Sequence, residues 1–408
     1  MAQTQHDAET SPEEIQRRIE EVEFSGRQSG PALSIVVGIV AAAWSLFQLW
    51  IASPLPFLFD FAIIVDVPAR GIHLAFGLVL VFLLFPRARA LTQAPISPLD
   101  IFLALLGGFA ALWVFIDQEG ITNRLGSLLS LEVLGVTIPF EGLLGGAGLI
   151  LLLEATRRAI GWPLVILALI FLVYSIFGQS MPELISHRGV SLPRLIGYHW
   201  MGGEAIFGIP IGVSVSFVFL FVLFGALLDR AGAGKYFLNL AFALVGRFRG
   251  GPAKAAILAS GMTGLISGSS IANVVTTGVF TIPVMRRMGM PAVKAGAIEV
   301  AASTNGQLMP PIMGAAAFII AELVGISYFD VIVAAIIPAL VAYIGLLYIS
   351  HLEALKLGLV RMPATDIPPL GSTFISGAHF LVPILVLIYL LMIERWSASS
   401  AVFYAILV

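Results

Sequence analysis

Apolar stretches of about twenty residues recur along this chain, at 32–53, 70–86, 99–117, 138–156 and 162–178 and again beyond, each about long enough to cross a hydrocarbon layer as a helix. No other feature constrains the fold as much. Within lipid every backbone amide and carbonyl needs an internal partner, which leaves only helices and closed barrels. Barrel strands alternate apolar and polar residues, whereas the segment from Phe217 to Phe224 is apolar throughout. The expected fold is therefore an all-α, polytopic helical bundle. Composition agrees: 59 % of the 408 residues are hydrophobic and 11 % are charged, against about 25 % charged in soluble domains.

The same composition narrows the chemistry. Without cysteine there are no disulfides, thiolate metal sites or Cys nucleophiles. The six histidines (His6, His73, His187, His199, His351, His379) lack metal-ligand spacing and are expected at interfaces or in loops. A net charge of -2 offers no basic face for nucleic acid.

Residues 1–28 are polar, lack the pattern of a cleavable signal, and are expected to form a cytoplasmic tail. Within it, Ser11, Pro12 and Glu14 make a helix start with a capping box, predicting a short surface helix from Pro12 to Glu23. Residues 29–160 then hold four spans joined by short connections, and Arg157, Arg158, Gly161, Trp162 and Pro163 mark the turn into a second part, 161–408. Trp50, Trp162, Trp200 and Trp396 fall near proposed span ends, where indole favours the headgroup layer. Glu141, Glu154 and Glu322 also fall near span ends, where solvation is the default reading.

Positive residues stay on the cytoplasmic side. With the amino terminus inside, most Lys and Arg fall on that side only if 252–286 enters the membrane and returns to the same face. Its halves, Ala255 to Leu265 and Ile271 to Val284, are each read as about a half-span, joined at the turn-like Ser267-Gly268-Ser269-Ser270. The next apolar stretch, 291–324, is too long for one crossing and is interrupted by Ser303-Thr304-Asn305-Gly306-Gln307 and by Pro310-Pro311. It is expected to be a broken helix. The last run, Ser400 to Val408, is shorter than a span, which suggests that the sequence stops inside a helix.

Irregular backbone at membrane depth is tolerated where it is buried in protein or lines a watery cavity, and half-helices meeting there offer dipole ends to anions and bare carbonyls to cations. The hydroxyls and carbonyls of Ser267, Gly268, Ser269, Ser270 and Asn273 are hard oxygen ligands suited to sodium, and Ser303, Thr304 and Gly306 at the second break are grouped with them. Asn273, Thr276, Thr277, Asn305, Gln307, Pro310 and Pro311 are the candidates for facing a substrate. Close helix packing explains Ser and Gly at one break equally well; two polar gaps at matching depth are harder to explain that way. Glu299, about a turn before the second break, reads either as a functional carboxylate (ion ligand, proton acceptor or hydrogen-bond acceptor) or as a group solvated near the cytoplasmic face.

The strings GSSIANVVTTGVFTIPVM (268–285) and AASTNGQLMPPIMGAAAF (301–318) resemble those of tripartite ATP-independent periplasmic (TRAP) transporters, and most closely the TAXI-type fused permeases, in which a small four-helix subunit and a large membrane subunit share one chain. The resemblance runs from about residue 30 to the end. It implies an elevator-type secondary transporter of the bacterial inner membrane, a symporter that imports a small organic anion (a carboxylate, dicarboxylate or glutamate-like solute) with sodium as coupling ion and no other cofactor. Its implied partner is a periplasmic TAXI-type solute-binding protein. By analogy, Ser267 to Asn273 forms a hairpin tip, and Ser303 to Pro311 the break beside it. The family's second, inverted repeat lies beyond the residues present, so the chain is expected to be truncated at its C-terminus. A channel with a re-entrant loop and a membrane-embedded enzyme are the competing readings. The spans hold no zinc-binding His pair, Ser-His pairing or acidic metal cluster, so an enzyme is not expected.

Overall fold

A computed structural model describes residues 26–27, 30–88, 91–124, 127–133 and 136–408. The expected helix from Pro12 to Glu23 lies outside the described residues. Nearly all of what is described is helical, with seven helices long and apolar enough to cross a membrane. The exception is a two-stranded antiparallel ribbon, β1 (Leu131–Val133) against β2 (Val136–Ile138), which corrects the all-α expectation locally. Compactness divides the chain between residues 215 and 216.

The first unit contains α1 (Pro31–Ala52), α2 (Asp66–Leu84), α3 (Pro98–Ile116), α4 (Phe140–Ala159) and α5 (Trp162–Phe177). Proline at the first helical turn starts α1, α3 and α5, and the Ser97 hydroxyl caps α3 by accepting from the Asp100 amide. Helices α2 and α3 cross closely because small residues line the contact: a methyl group added at Gly71 would stand 2.9 Å from the Ala111 carbonyl. Leu78, Phe82, Val114, Leu151, Trp200 and Phe207 fill the core.

Three expectations fail in this unit, and for one reason: the polar groups are paired with one another rather than with water. Trp200, expected at an interface, is fully buried and donates to the Ala110 carbonyl at 2.9 Å. His73, expected at an interface, is buried between Gln48, Trp44 and Ser214. Glu141, expected to be solvated, is 1 % exposed and accepts from Arg124, from Trp113 Nε1 at 3.0 Å and from the Leu129 amide at 2.7 Å. Asp100 is likewise buried, accepting from Arg27 at 2.7 Å and from Arg158 at 2.8 Å.

Helix α6 (Ile209–Ala231) leads into the second unit. That unit holds α7 (Ala233–Val245), α8 (Gly251–Ser267), α9 (Ser270–Arg287), α10 (Ala292–Gly306), α11 (Ala315–Val324), α12 (Tyr328–Lys356), α13 (Leu370–Gly377), α14 (Leu381–Ile388) and α15 (Ala398–Leu407). Helices α8 and α9 pack against each other as a hairpin, and α10 packs against both. The hairpin is longer than its sequence suggested: 17 and 18 residues, or about 26 Å per arm at about 1.5 Å per residue, close to a full span rather than half of one. The apolar cores at 255–265 and 271–284 understate the arms because Gly251, Pro252 and Lys254 at one base, and Arg286 and Arg287 at the other, are also helical.

Candidate functional site

Four helix ends meet at the two chain breaks. Helix α8 stops at Gly268, whose left-handed backbone (φ +57°) a side chain adopts only with strain. Ser269 is extended and caps α9, its hydroxyl accepting from the Ala272 amide. Helix α10 stops at Gly306, and residues 307–314 run irregularly, with a cis Pro310-Pro311 bond, before α11 starts at Ala315. The segment is held from outside by Tyr328, whose hydroxyl donates to the Pro311 carbonyl (2.8 Å) and the Ile312 carbonyl (2.5 Å), while its ring stacks on Phe318 of α11 at 4.1 Å.

The two breaks touch. A methyl group on Gly268 would overlap the Met313 carbonyl, and one on Gly314 would stand 3.4 Å from the Gly268 carbonyl. Gln307 Nε2 donates to Ser270 Oγ at 3.0 Å. On the other side, a methyl group on Gly264 would be 2.7 Å from Gly306 Cα, so α8 and α10 cross backbone to backbone just before they end. The carbonyl ends of α8 and α10 and the amide ends of α9 and α11 are thus gathered in one place, the first suited to a cation and the second to an anion. Asn273 lies between: its amide nitrogen donates to the Ser260 carbonyl at 2.8 Å, and its Oδ1 is buried with no hydrogen-bond partner among the described residues.

Away from the tip, the same three helices enclose a carboxyl group. Glu299 of α10 has no solvent exposure and accepts from Thr277 and Thr281 of α9, from Ser260 of α8 at 3.2 Å and from Ser303 at 3.4 Å. Gly278 makes room for it, since a methyl group there would stand 3.1 Å from Glu299 Cγ. Of the two readings of Glu299, solvation near a membrane face is excluded.

The structure thus brings together Gly268, Ser269, Ser270, Asn273, Gly306 and Gln307 at the tip, and Thr277 and Ser303 around Glu299. The hydroxyls of Thr276 and Thr304 donate instead to carbonyls of their own helices, Ala272 and Val300. Asn305 is half-buried beside the break, while Pro310 and Pro311 shape the irregular segment. The hydroxyl of Ser267 lies outside the described side chains. Ser260, Thr263, Thr281 and Tyr328 were not anticipated. For the first three a signal existed: Ser260 and Thr263, Asn273, Thr277 and Thr281, and Glu299 and Ser303 recur at spacings of three or four, which puts each set on one helix face. Tyr328 carried no such signal.

These features define a polytopic helical membrane protein in which a helical hairpin packs against a broken helix. Residues 147–408 match the family described as tripartite ATP-independent periplasmic transporter, DctM component, and the chain belongs to that family. Among its relatives, a C4-dicarboxylate TRAP transporter large permease protein DctM of Pseudomonas aeruginosa is 31 % identical over 147 residues, covering 36 % of this chain and 34 % of the relative. The 2,3-diketo-L-gulonate TRAP transporter large permease protein YiaN of Escherichia coli is 25 % identical over 157 residues, 38 % of this chain and 36 % of the relative. The sialic acid TRAP transporter permease protein SiaT of Haemophilus influenzae is 29 % identical over 154 residues, 38 % of this chain and 25 % of the relative. The matched stretch therefore spans well under half the length of these relatives.

Proposed function

We propose that this chain supplies one wall of the transport site of a TRAP importer that couples entry of a small organic anion to sodium, with the solute delivered by a periplasmic binding protein. The observation that carries the reading is the meeting of the two breaks, where four helix ends and the unpartnered Asn273 Oδ1 converge. The carbonyl ends of α8 and α10, with Ser267, Gly268, Ser269, Ser270, Asn273 and Gly306, would hold the cation, while Ser303 is turned to Glu299 and Thr304 to the Val300 carbonyl. The amide ends of α9 and α11, with Asn273, Thr276, Asn305, Gln307, Pro310 and Pro311 nearby, would face the anion, while Thr277 is buried against Glu299. The solutes in the names of the relatives are dicarboxylate, gulonate and sialic acid, all of them acids, which favours a carboxylate here.

The finer assignment is also ours. Residues 29–160 would be the small-subunit-like part and 161–408 would belong to the large subunit, as in TAXI-type fused permeases, with the amino terminus cytoplasmic, the inner membrane as location and elevator-like movement of the hairpin region. A channel would instead need a ring of carbonyls or charges around a symmetric pore. The test is uptake of labelled dicarboxylates and glutamate into liposomes that contain the complete permease, together with its binding protein. An inward sodium gradient should drive accumulation above the external concentration. Equal uptake with and without the gradient would refute sodium coupling, and equilibration without accumulation would favour a channel.

A further inference from the structure

We propose that the first unit carries a site for an anionic phospholipid, in the groove between α4 and the segment 191–196. The groove has a volume of about 990 Å³, at the upper end of the about 300–1,000 Å³ typical of small-molecule sites. Its floor is one face of α4. Gly142, Leu143, Gly146 and Ile150 line it at helical spacing, so it follows the helix axis for about 12 Å at about 1.5 Å per residue. A Gly-x-x-x-Gly pair often marks a close helix crossing, but these two glycines meet only side-chain atoms. A methyl group on Gly142 would stand 3.7 Å from Leu128 Cδ1, and one on Gly146 would stand 3.5 Å from Ile196 Cδ1. The trough stays open on the outside of the bundle, where Leu143 and Ile150 are 61 % and 67 % exposed.

Charge selects the occupant. Arg194 is the one charged residue that lines the groove, and it is exposed, with no hydrogen-bond or ion-pair partner among the described residues. Ser130 and Ser191 line the same groove with hydroxyls that are likewise unpartnered there. Ile196 packs on Gly145 and Gly146, and Trp200 on Gly145 and Gly148, so the segment advances along α4 in the same direction. Ser191 and Arg194 therefore lie toward the start of α4. An apolar trough with a cation and hydroxyls at one end fits an amphiphile with an anionic head, and a guanidinium pairs a phosphate through two parallel N–H···O bonds. The acyl chain gains little by leaving lipid for the groove, because lipid tails are as apolar as leucine. Selection therefore falls on the head group. Phosphatidylglycerol offers an uncompensated phosphate, whereas phosphatidylcholine carries its own cation beside it.

The proposal concerns lipid binding and does not rest on transport. The test is native mass spectrometry of the purified, delipidated chain in detergent, titrated with phosphatidylglycerol or phosphatidylcholine of identical acyl chains. Wild type should bind its first phosphatidylglycerol about tenfold more tightly than phosphatidylcholine, the scale of one charge-assisted hydrogen-bond contact. Arg194→Gln should abolish that preference, whereas Arg188→Gln, at an exposed arginine outside the groove, should retain it. Gly146→Leu should lose the tight lipid altogether, since its first carbon fits at 3.5 Å from Ile196 and the rest fills the trough. If Gly146→Leu does not fold, the surface change Arg194→Gln decides alone. Equal affinity for the two lipids in wild type, or a preference that survives in Arg194→Gln, would overturn the proposal. So would a dimer of lipid-free wild type that Gly146→Leu dissociates, which would give the groove to a second copy of the chain.

Discussion

Gly264 is where the crossing of α8 and α10 can be tested by a single methyl group. In a helix interior, Gly→Ala stabilises by about 1 kcal/mol when the site is open, because alanine loses less conformational freedom on folding. At Gly296 of α10 and Gly345 of α12 nothing lies within 4 Å of the added carbon, so that gain should appear in full. At Gly264 the added carbon would meet Gly306 Cα at 2.7 Å, its carbonyl oxygen at 2.9 Å and its carbonyl carbon at 3.1 Å. These are backbone atoms and cannot rotate away, so the helices must separate, at a cost of about 1 to 3 kcal/mol. Gly264→Ala should therefore lie about 1 to 3 kcal/mol below Gly296→Ala in equilibrium unfolding by SDS in mixed micelles, and fall from neutral to clearly destabilised against wild type. If all three variants stabilise equally, the backbone crossing that brings the two breaks together is wrong.

Other expectations follow from particular contacts. Asp100→Ala removes a buried carboxylate shared by the guanidinium groups of Arg27 and Arg158, of which Arg158 keeps Glu154, and should cost about 3 kcal/mol in the same unfolding assay; a loss under about 1 kcal/mol would mean those arginines reach water. Glu141→Ala should cost about 2 to 3 kcal/mol, somewhat less because its partner Arg124 keeps Asp117 and is partly exposed. Single cysteines at Phe248 and Met288, at the two bases of the hairpin in this Cys-free chain, should both react with a membrane-impermeant maleimide from the cytoplasmic side. Reaction from opposite sides would exclude a re-entrant hairpin.

The helices were legible in the sequence because lipid demands long apolar runs, and the breaks because Gly268 and the Pro310-Pro311 pair interrupt such runs with residues that cannot continue a helix. Tertiary pairing was not legible. Glu141 and His73 look solvated on a hydropathy profile, yet each is buried because partners 17 to 29 residues or more away, such as Arg124, Trp113 and Trp44, reach them. At the site, attention to the breaks picked out Asn273, Gly306 and Gln307 but passed over Ser260 and Thr281, hydroxyls away from the breaks whose three- and four-residue spacing to other polar groups went unused. Their meaning came only when three helix faces were placed around Glu299. Tyr328 braces the broken segment from a helix start and looks in sequence like any interfacial tyrosine.

The central claim is that the meeting of the two breaks binds the coupling ion, and the most direct measurement is the sodium dependence of solute uptake in proteoliposomes. For the complete permease carrying Asn273→Ala or Ser270→Ala, the sodium concentration for half-maximal uptake should rise about tenfold, equivalent to about 1.4 kcal/mol of lost cation binding. Ser376→Ala, whose exposed hydroxyl donates only to the Thr373 carbonyl, should match wild type. Half-maximal sodium concentrations identical to wild type in both tip variants, with uptake still driven by the gradient, would contradict the account.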